Sequence, residues 1–419
     1  MVNQKNDCFS SNKNLLSLES ALEKLEKLVK QPVGVEKVGL AEALSRFLAE
    51  DVVATLDVPP HDNSAVDGYA VRHADLSINR DTYLPLAGRI VAGHPLSTIA
   101  KKGHAYRIFT GAAMPHGTDT VFMQEDVRTE GDKVVLPAGL RPGTNRRFKG
   151  EDVCDGSIIL NRGKRIRPQE IGLAASIGLI KLPVYKPLCV AVFSTGDEIC
   201  DPSSSLAEGC IFDANRYTII GLLKELGCHV TDLGIINDDQ QMISEALANA
   251  AATHDLIITS GGVSVGEEDH VRQAVESLGS IDFWRLAIKP GRPIAIGNVD
   301  STPFVGLPGN PVAAMVTFMR IARILVLRLS GAIGDISPTL YSVTAAFDFK
   351  PRGERREWLR AHLKVNEKGI LSAHLFPFKG SGVLTSMVGS DGLIEINEGV
   401  KQIKCGDLID FLPFSEMCS

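Results

Sequence analysis

The chain has 419 residues, enough for two to four domains at roughly 100–200 residues each. Hydrophobic residues make up 44% and charged residues 22%, a balance that fits a folded globular protein and argues against disorder. A net charge of −6 gives no electrostatic footprint for a nucleic-acid partner.

The opening "MVNQKNDCFSSNKN" is polar and lacks the apolar core of a secretory signal. No apolar run approaches the ~20 residues that a membrane span needs. A soluble, cytoplasmic protein with no membrane partner is expected. Cysteines stand at 8, 154, 189, 200, 210, 228, 405 and 418. No two have C-x-x-C spacing and the closest pair is ten apart, which argues against a zinc ribbon or a redox dithiol. Scattered, buried apolar thiols in a reducing compartment are the reading the spacing favours.

Residues 15–30, "LLSLESALEKLEKLVK", predict an amphipathic helix, because Leu18, Leu22, Leu25 and Val29 recur at spacings of four, three and four. Ser17 suits its N-cap and Pro32 lies just past its end. "LAEALSRFLAE" predicts a second short helix. From 51 to 150 the runs "DVVATLDV", "YLPLAGRIV", "HAYRIFTG", "DTVFMQEDV" and "DKVVLP" predict a β-rich module. Within it, "PPHDNSAVDGYAV" gathers Asp62, Asn63, Ser64, Asp67 and Gly68 around few apolar residues, as a turn-rich loop or a polar site does. "RPQEIGLAASIG" returns to helix, with Pro168 in its first turn.

From 187 to about 330 strand and helix patterns alternate, which predicts a parallel sheet with helices on both faces. "NRYTIIGLLKELG" is a helix with Gly227 as its C′ residue. Ligands of such sheets sit at the carboxyl ends of the strands. Here those ends read "STGDE", "NDD", "SGGVSVGEED", "KPGRP" and "GLPGNP", all rich in glycine, proline or charge. The tail, from about 335, is β-like again in "LYSVTAAFDF", "GILSAHLFPF", "GLIEINEG" and "DLIDFLPF".

One stretch admits two chemistries. In "DLIITSGGVSVGEEDH", Gly262 to Gly266 match the G-x-S-x-G elbow of serine hydrolases, with Ser264 as nucleophile. The elbow needs a later histidine, and only His270, His362 and His374 follow Asp269. The acids Glu267, Glu268 and Asp269 also oppose a developing oxyanion. The alternative is a phosphate cradle, in which a glycine turn and a helix N-terminus face an anion. Carboxylates tolerate that anion when a divalent cation lies between them. Asp269, Glu198 and Asp238 fit such a role, although any one acid there also suits a helix start. Lys289, Arg292, Arg355 and Arg360 offer positive charge for an oxyanion, and Pro308-Gly-Asn-Pro311 forms a rigid turn.

Eight segments in order, "PPHDNSAVDGYAV", "RIFTGAAMPHGTDTVFMQED", "GEDV", "RPQEIGLAASIG", "STGDEI", "TSGGVSVGEED", "LAIKPGRPIAIG" and "GLPGNPVAAM", resemble the MoeA-type molybdopterin molybdenumtransferases, relatives of the gephyrin E domain. The resemblance runs over nearly the whole chain. It implies a multidomain α/β and β protein. An elongated helical region takes residues 15–50 and 150–183, and an inserted β-rich module takes 51–149. A three-layer α/β/α molybdopterin-binding domain takes 184–332, and a C-terminal β-barrel takes 333–419. It implies insertion of molybdate into adenylylated molybdopterin, with release of AMP and dependence on Mg2+. It further implies a homodimer with the site between subunits, a molybdopterin adenylyltransferase upstream and cofactor-handling proteins downstream. The family's functional acids fall on Asp67, Asp152, Glu198, Asp238 and Asp269, with Asp269 and Glu198 toward the metal. Its basic and polar positions fall on Lys289, Arg355 or Arg360, and Ser381. Substrate contacts fall on Ser64, Thr195, Gly261, Gly262, Ser264, Pro308 and Pro311. Arg285 stands where the family often has lysine, which keeps the charge but changes donor geometry. On this reading Ser264 is a turn residue and forms no acyl-enzyme. A gephyrin-like peptide-binding scaffold is the alternative, though the chain carries no second fused α/β domain and no long linker.

Overall fold

The structure is a computed structural model that describes residues 15–29, 31–262, 270–367 and 369–417. The first helix, Leu18–Leu28, follows the leucine spacing, and the Ser17 hydroxyl accepts from the Ser20 N–H at 3.2 Å to cap it. Leu18, Ala21 and Leu25 enter the largest core of the molecule. Residues 40–50 do not form the second predicted helix. Turns cover 40–45, Ser45 adopts φ 65°, and Phe47 and Leu48 bridge to Arg165 and Val184. Burial of Phe47, Leu48 and Ala49 in these pairings overrides the local helix preference. Helix Pro168–Ser176 begins at the predicted proline.

The β-rich module is one six-stranded sheet. Its order is Thr120–Met123, Gly68–Val71, Ala105–Ile108, Thr82–Ile90, Lys133–Leu136, Arg128–Glu130. Period-two alternation sends Ala70 to one small core and Val71 to another. Of the run at 51–58, only Val52–Val53 is strand, paired with Ile158–Leu160.

The central domain is a six-stranded sheet between two helical layers. Val190 and Val192 face one layer, with Ile219, Leu223 and Val312, while Ala191 and Phe193 face the other, with Ile243, Leu247 and Val275. Four strands are parallel, in the order His229–Ile236, Cys189–Thr195, Leu256–Ser260, Thr302–Leu307. The alternating pattern ends there. Pro293–Val299 is the one reversed strand, antiparallel to Thr302–Leu307 on one side and to the edge strand Gly279–Arg285 on the other, and the run "FWRLAIK" leaves that edge for the pairing at Ile288–Lys289. No helix separates Gly279–Arg285, Pro293–Val299 and Thr302–Leu307, and short connections can join only antiparallel neighbours.

The C-terminal strands close a five-stranded barrel: Arg356–Val365, Leu371–Leu375, Tyr341–Ala345, Leu408–Pro413, Gly392–Ile396, and back to Arg356–Val365. The long strand Arg356–Val365 is absent from the β runs read in the tail, yet it carries Glu357, Trp358 and Arg360. Among the described residues no helix is long and apolar enough to cross a membrane.

Arg216 locks the loop that leaves the first central strand. Its guanidinium, 4% exposed, contacts Asp213 at 3.0 Å, Asp232 at 2.5 Å and Asp201 at 2.5 Å. Arg216→Ala would strand Asp213, itself buried, without its cation. A loss of about 3–5 kcal/mol is expected, read as a lower urea midpoint.

Candidate functional site

The site begins where parallel strands end. Thr195 closes Cys189–Thr195 and Ser260 closes Leu256–Ser260 next to it. Gly261 and Gly262 follow with φ 88° and 62°. A Cβ on Gly261 would lie 2.8 Å from the Thr195 carbonyl oxygen, and one on Gly262 would lie 2.5 Å from Val271 Cγ2. Only glycine permits this approach. Gly196 has the same meaning for Glu198: a Cβ there would lie 2.8 Å from Glu198 Oε2, so the carboxylate rests directly over the glycine. Asn215 ties two neighbouring strand ends. Its Nδ2 donates to Ser260 Oγ at 2.8 Å and to the Gly309 carbonyl at 2.7 Å.

These ends form one wall of a cavity of about 570 Å³, with Glu198, Gly261, Gly262, Pro308 and Asn310 on that wall. Trp358, Leu359, Arg360, Lys379 and Ser381 of the barrel form the other. The segment Lys289–Pro293 lies between them. It is held by a two-residue parallel pairing, Ile288 with Arg356 and Lys289 with Glu357. Across that pairing Lys289 Nζ donates to Glu357 Oε2 at 2.8 Å. Glu357 is 1% exposed, whereas the Lys289 side chain is 43% exposed, so a buried carboxylate anchors a cation that still faces solvent. Burial alone pushes the Glu357 carboxyl up, but the Lys289 ammonium and the Arg352 N–H outweigh it and hold it below the usual range.

Arg292 lines the cavity with its Nε buried and without a hydrogen-bond partner. Burial lowers its pKa first, and the Arg355 and Arg285 guanidiniums lower it further. Three arginines therefore share one field, and among the described residues no ion pair neutralises Arg292. Such a group favours an arriving anion. Arg360 is also on the cavity wall, but its guanidinium donates to Ser386 Oγ at 3.0 Å and to the Phe378 and Gly380 carbonyls at 3.2 and 3.1 Å. It braces the segment that carries Lys379 and Ser381.

Glu198, Gly261, Gly262, Lys289, Pro308, Arg360 and Ser381, all singled out in the sequence, therefore meet around one cavity. Arg285 and Arg355 do not line it but act on Arg292. Thr195 lies beneath the glycine turn with Oγ1 buried and unpartnered, and Pro311 begins the helix Pro311–Thr317. Asp238 follows the strand His229–Ile236 and does not line the cavity. Ser264 and Asp269 lie outside the described residues. Ser64 and Asp67 belong to the β-rich module, Asp152 follows it, and none of the three lines this cavity. Ser64 is buried, and its hydroxyl donates to the Val66 carbonyl at 2.5 Å, shaping a turn. Asp67 accepts from the Thr110 N–H at 2.8 Å and hydroxyl at 2.7 Å, bonds that hold its carboxyl below the usual range. Asp152 is exposed. Asn215, Glu357 and Trp358 were not legible as site residues, since their roles depend on partners 37 to 94 positions away.

Two of the three histidines that a hydrolase at Ser264 would draw on lie away from the cavity. His362 and His374 stack on each other on the barrel at 5.4 Å and line no part of the cavity.

Known proteins show the same construction. Family models for the MoeA N-terminal region (domains I and II), a probable molybdopterin-binding domain, and the MoeA C-terminal region (domain IV) match residues 16–178, 191–328 and 342–414. The chain belongs to the MoeA family. It is 37% identical to the molybdopterin molybdenumtransferase of Haemophilus influenzae over 404 residues, 96% of this chain and 100% of that one. It is 36% identical to the enzyme of that name from a Nostoc species over 81% of this chain and 79% of that one. The solved molybdopterin biosynthesis MoeA protein from Pyrococcus horikoshii superposes with a TM-score of 0.81 at 29% identity, covering 96% and 100% of the two chains. In this MoeA chain the cavity lies where the second and third matched regions meet.

Glu357→Gln removes the anion that steadies Lys289. An equilibrium loss of about 1–2 kcal/mol is expected at neutral pH, reduced from a fully buried pair because Lys289 is solvated. The folded-state pKa of Glu357 is depressed, so its contribution is present above the unfolded value of about 4.3 and lost as pH falls through the folded one. The stability gap between wild type and Glu357→Gln should therefore close below about pH 4. A gap that widens on acidification would contradict this assignment.

Proposed function

We propose that this MoeA-family enzyme, a molybdopterin molybdenumtransferase of molybdenum cofactor biosynthesis, inserts molybdate into adenylylated molybdopterin and releases AMP and molybdenum cofactor. The observation that carries the reading is the division of one cavity into an acidic strand-end wall at Glu198 and a cationic loop at Lys289 and Arg292. Its volume, about 570 Å³, suits a small-molecule substrate.

Arg292 and Lys289 attract molybdate, a doubly charged oxyanion, and Ser381 offers a hydroxyl beside it. The glycine turn at Gly261 and Gly262 brings backbone close to the adenylylated end of the pterin. Glu198 orients substrate or accepts a proton there. Dithiolene sulfurs of the pterin replace oxo ligands of the molybdate, and the pyrophosphate link is hydrolysed to give AMP. Positioning and charge neutralisation are enough for this chemistry, and no protein nucleophile is required.

Mg2+ is the divalent cation of the proposal. Glu198 supplies a hard oxygen donor at the cavity, and among the described residues no group of three histidine, cysteine or acidic side chains forms a closed metal cage. That donor set fits an ion held by one or two carboxylates together with substrate phosphates. Glu198 and Asp269 would hold it, and it would neutralise pyrophosphate charge. Ser64, Asp67 and Asp152 would reach the cavity from the second subunit of a homodimer, and Asp238 would act from the neighbouring strand end, outside the cavity lining. The division at residues 50, 150, 184 and 333 separates the modules of that assembly. A cytoplasmic place in the pathway, between a molybdopterin adenylyltransferase and cofactor-handling proteins, follows from the same reading.

AMP release from adenylylated molybdopterin, with and without molybdate and Mg2+, tests the proposal. Release should require both ions, fall about 100-fold in Lys289→Ala, and survive in Ser264→Ala. No release from folded wild-type protein would overturn the enzyme assignment and direct attention to peptide binding by a scaffold.

A further inference from the structure

The absence of C-x-x-C spacing argues against a dithiol in the sequence, but the fold brings the closest pair, ten positions apart, onto one face. After Gly196 the chain passes Glu198 and forms the short strand Ile199–Cys200, which pairs in parallel with Ile211–Phe212. The Ile211 N–H donates to the Glu198 carbonyl at 2.8 Å, and the Asp213 N–H donates to the Cys200 carbonyl at 2.9 Å. This register puts Cys200 opposite Phe212 and Cys210 beside Glu198. Residues 198, 200, 210 and 212 then share one face of the pair, because strand side chains alternate. The Cys200 and Cys210 side chains are diagonal neighbours on that face and interact across it, and Cys210 Sγ lies 3.8 Å from the Asp197 carbonyl.

Both thiols are half-buried. The Asp201–Arg216 contact at 2.5 Å fixes the chain immediately after Cys200, so the pair is held together before any reaction. The other described thiols differ. Cys154 and Cys405 are exposed, against the expectation of buried thiols, and burial pushes Cys228 up to about 12. Neither Cys200 nor Cys210 is buried as Cys228 is, so both are open to a small thiol reagent.

We propose that Cys200 and Cys210 are a reversible disulfide site on the edge of the cavity wall, oxidised by a low-molecular-weight disulfide. The Cys200 thiolate attacks one sulfur of that disulfide, forming a mixed disulfide and expelling one thiolate. Cys210, after losing its proton to solvent, attacks Cys200 Sγ and expels the second. Two protein thiols are oxidised, one small disulfide is reduced to two thiols, and the protein gains one S–S bond. The bridge ties the strand after Glu198 to the strand whose Ile211 N–H already holds the Glu198 carbonyl. It fixes Glu198 over Gly196 and lowers turnover. That last consequence rests on the proposed function, whereas formation of the bridge does not.

The test is to incubate the full chain with oxidised glutathione, alkylate the remaining thiols and map peptides by mass. A peptide crosslink between Cys200 and Cys210 is expected, lighter by two hydrogens than the dithiol, with glutathione adducts at Cys154 and Cys405. Cys200→Ser should abolish the crosslink and leave Cys210 alkylatable or glutathionylated. The proposal is overturned if both thiols remain alkylatable, or carry only glutathione, while Cys154 and Cys405 react. AMP release by the oxidised protein should fall several-fold and return with dithiothreitol, and Cys210→Ser should be insensitive to oxidation. A bridge without any change in turnover would overturn the effect on Glu198. Inactivity of reduced wild type would count against the proposed function and leave the peptide map standing.

Discussion

The candidate site depends on a splice of four residues. Ile288 and Lys289 leave the edge of the central sheet and pair with Arg356 and Glu357 at the start of the longest barrel strand. Backbone hydrogen bonds set the register, and the Lys289–Glu357 contact fixes the side chains across it. Because Glu357 is buried and charged, its cation cannot leave without a large electrostatic cost. The two cavity walls come from different sheets, and Trp358, Leu393 and Leu412 of the barrel share the largest core with Val190, Val192 and Leu307, so the join adds a polar lock beside that packing. Arg320 reinforces the barrel side from below, paired with Glu395 at 3.0 Å and stacked 5.6 Å from the Trp358 ring.

Close backbone approach supplies the opposite wall. Parallel neighbours end at the same level, and the chain must turn away at each end without side chains colliding. Gly196, Gly261 and Gly262 meet that demand with positive φ. The result is a surface of main chain and one carboxylate, with little side-chain bulk between substrate and sheet. Asn215 fixes the spacing of two ends by donating to both. Strand ends thus become a rigid platform, and the mobile-looking glycine motif is tightly constrained.

How much of this was legible in the sequence follows from the range of each interaction. Helix Leu18–Leu28, the glycine turns and the proline at the start of Pro311–Thr317 are local events, encoded within a few residues. Glu198, Lys289 and Ser381 were accessible because strand-end motifs and a family resemblance marked them. The helix expected over 40–50 failed where Leu48 found a strand partner 136 positions later at Val184. Glu357 looks like one acid in the charged run "RGERREW", and only its burial and its contact with Lys289 distinguish it. Cys200 and Cys210 are likewise unremarkable until a two-residue strand pairing aligns them. The reversed strand Pro293–Val299 escaped because alternation predicts strands, whereas direction is set by the length of the connections.

The charge around Arg292, which no ion pair among the described residues neutralises, has a consequence for the solution the protein sits in. The chain as a whole is acidic, with a net charge of −6, but the loop between the cavity walls gathers guanidinium groups that burial and mutual repulsion make costly. Charge that the protein does not neutralise is neutralised by solute. Small tetrahedral oxyanions such as phosphate and sulfate resemble molybdate in size and charge, so this loop cannot distinguish them by electrostatics alone. On the proposed function, selection for the metal oxyanion would then belong to the chemical step, in which only a metal centre can accept sulfur ligands. Buffer composition becomes a hidden variable: the occupancy of the loop reflects the whole anion pool around the protein.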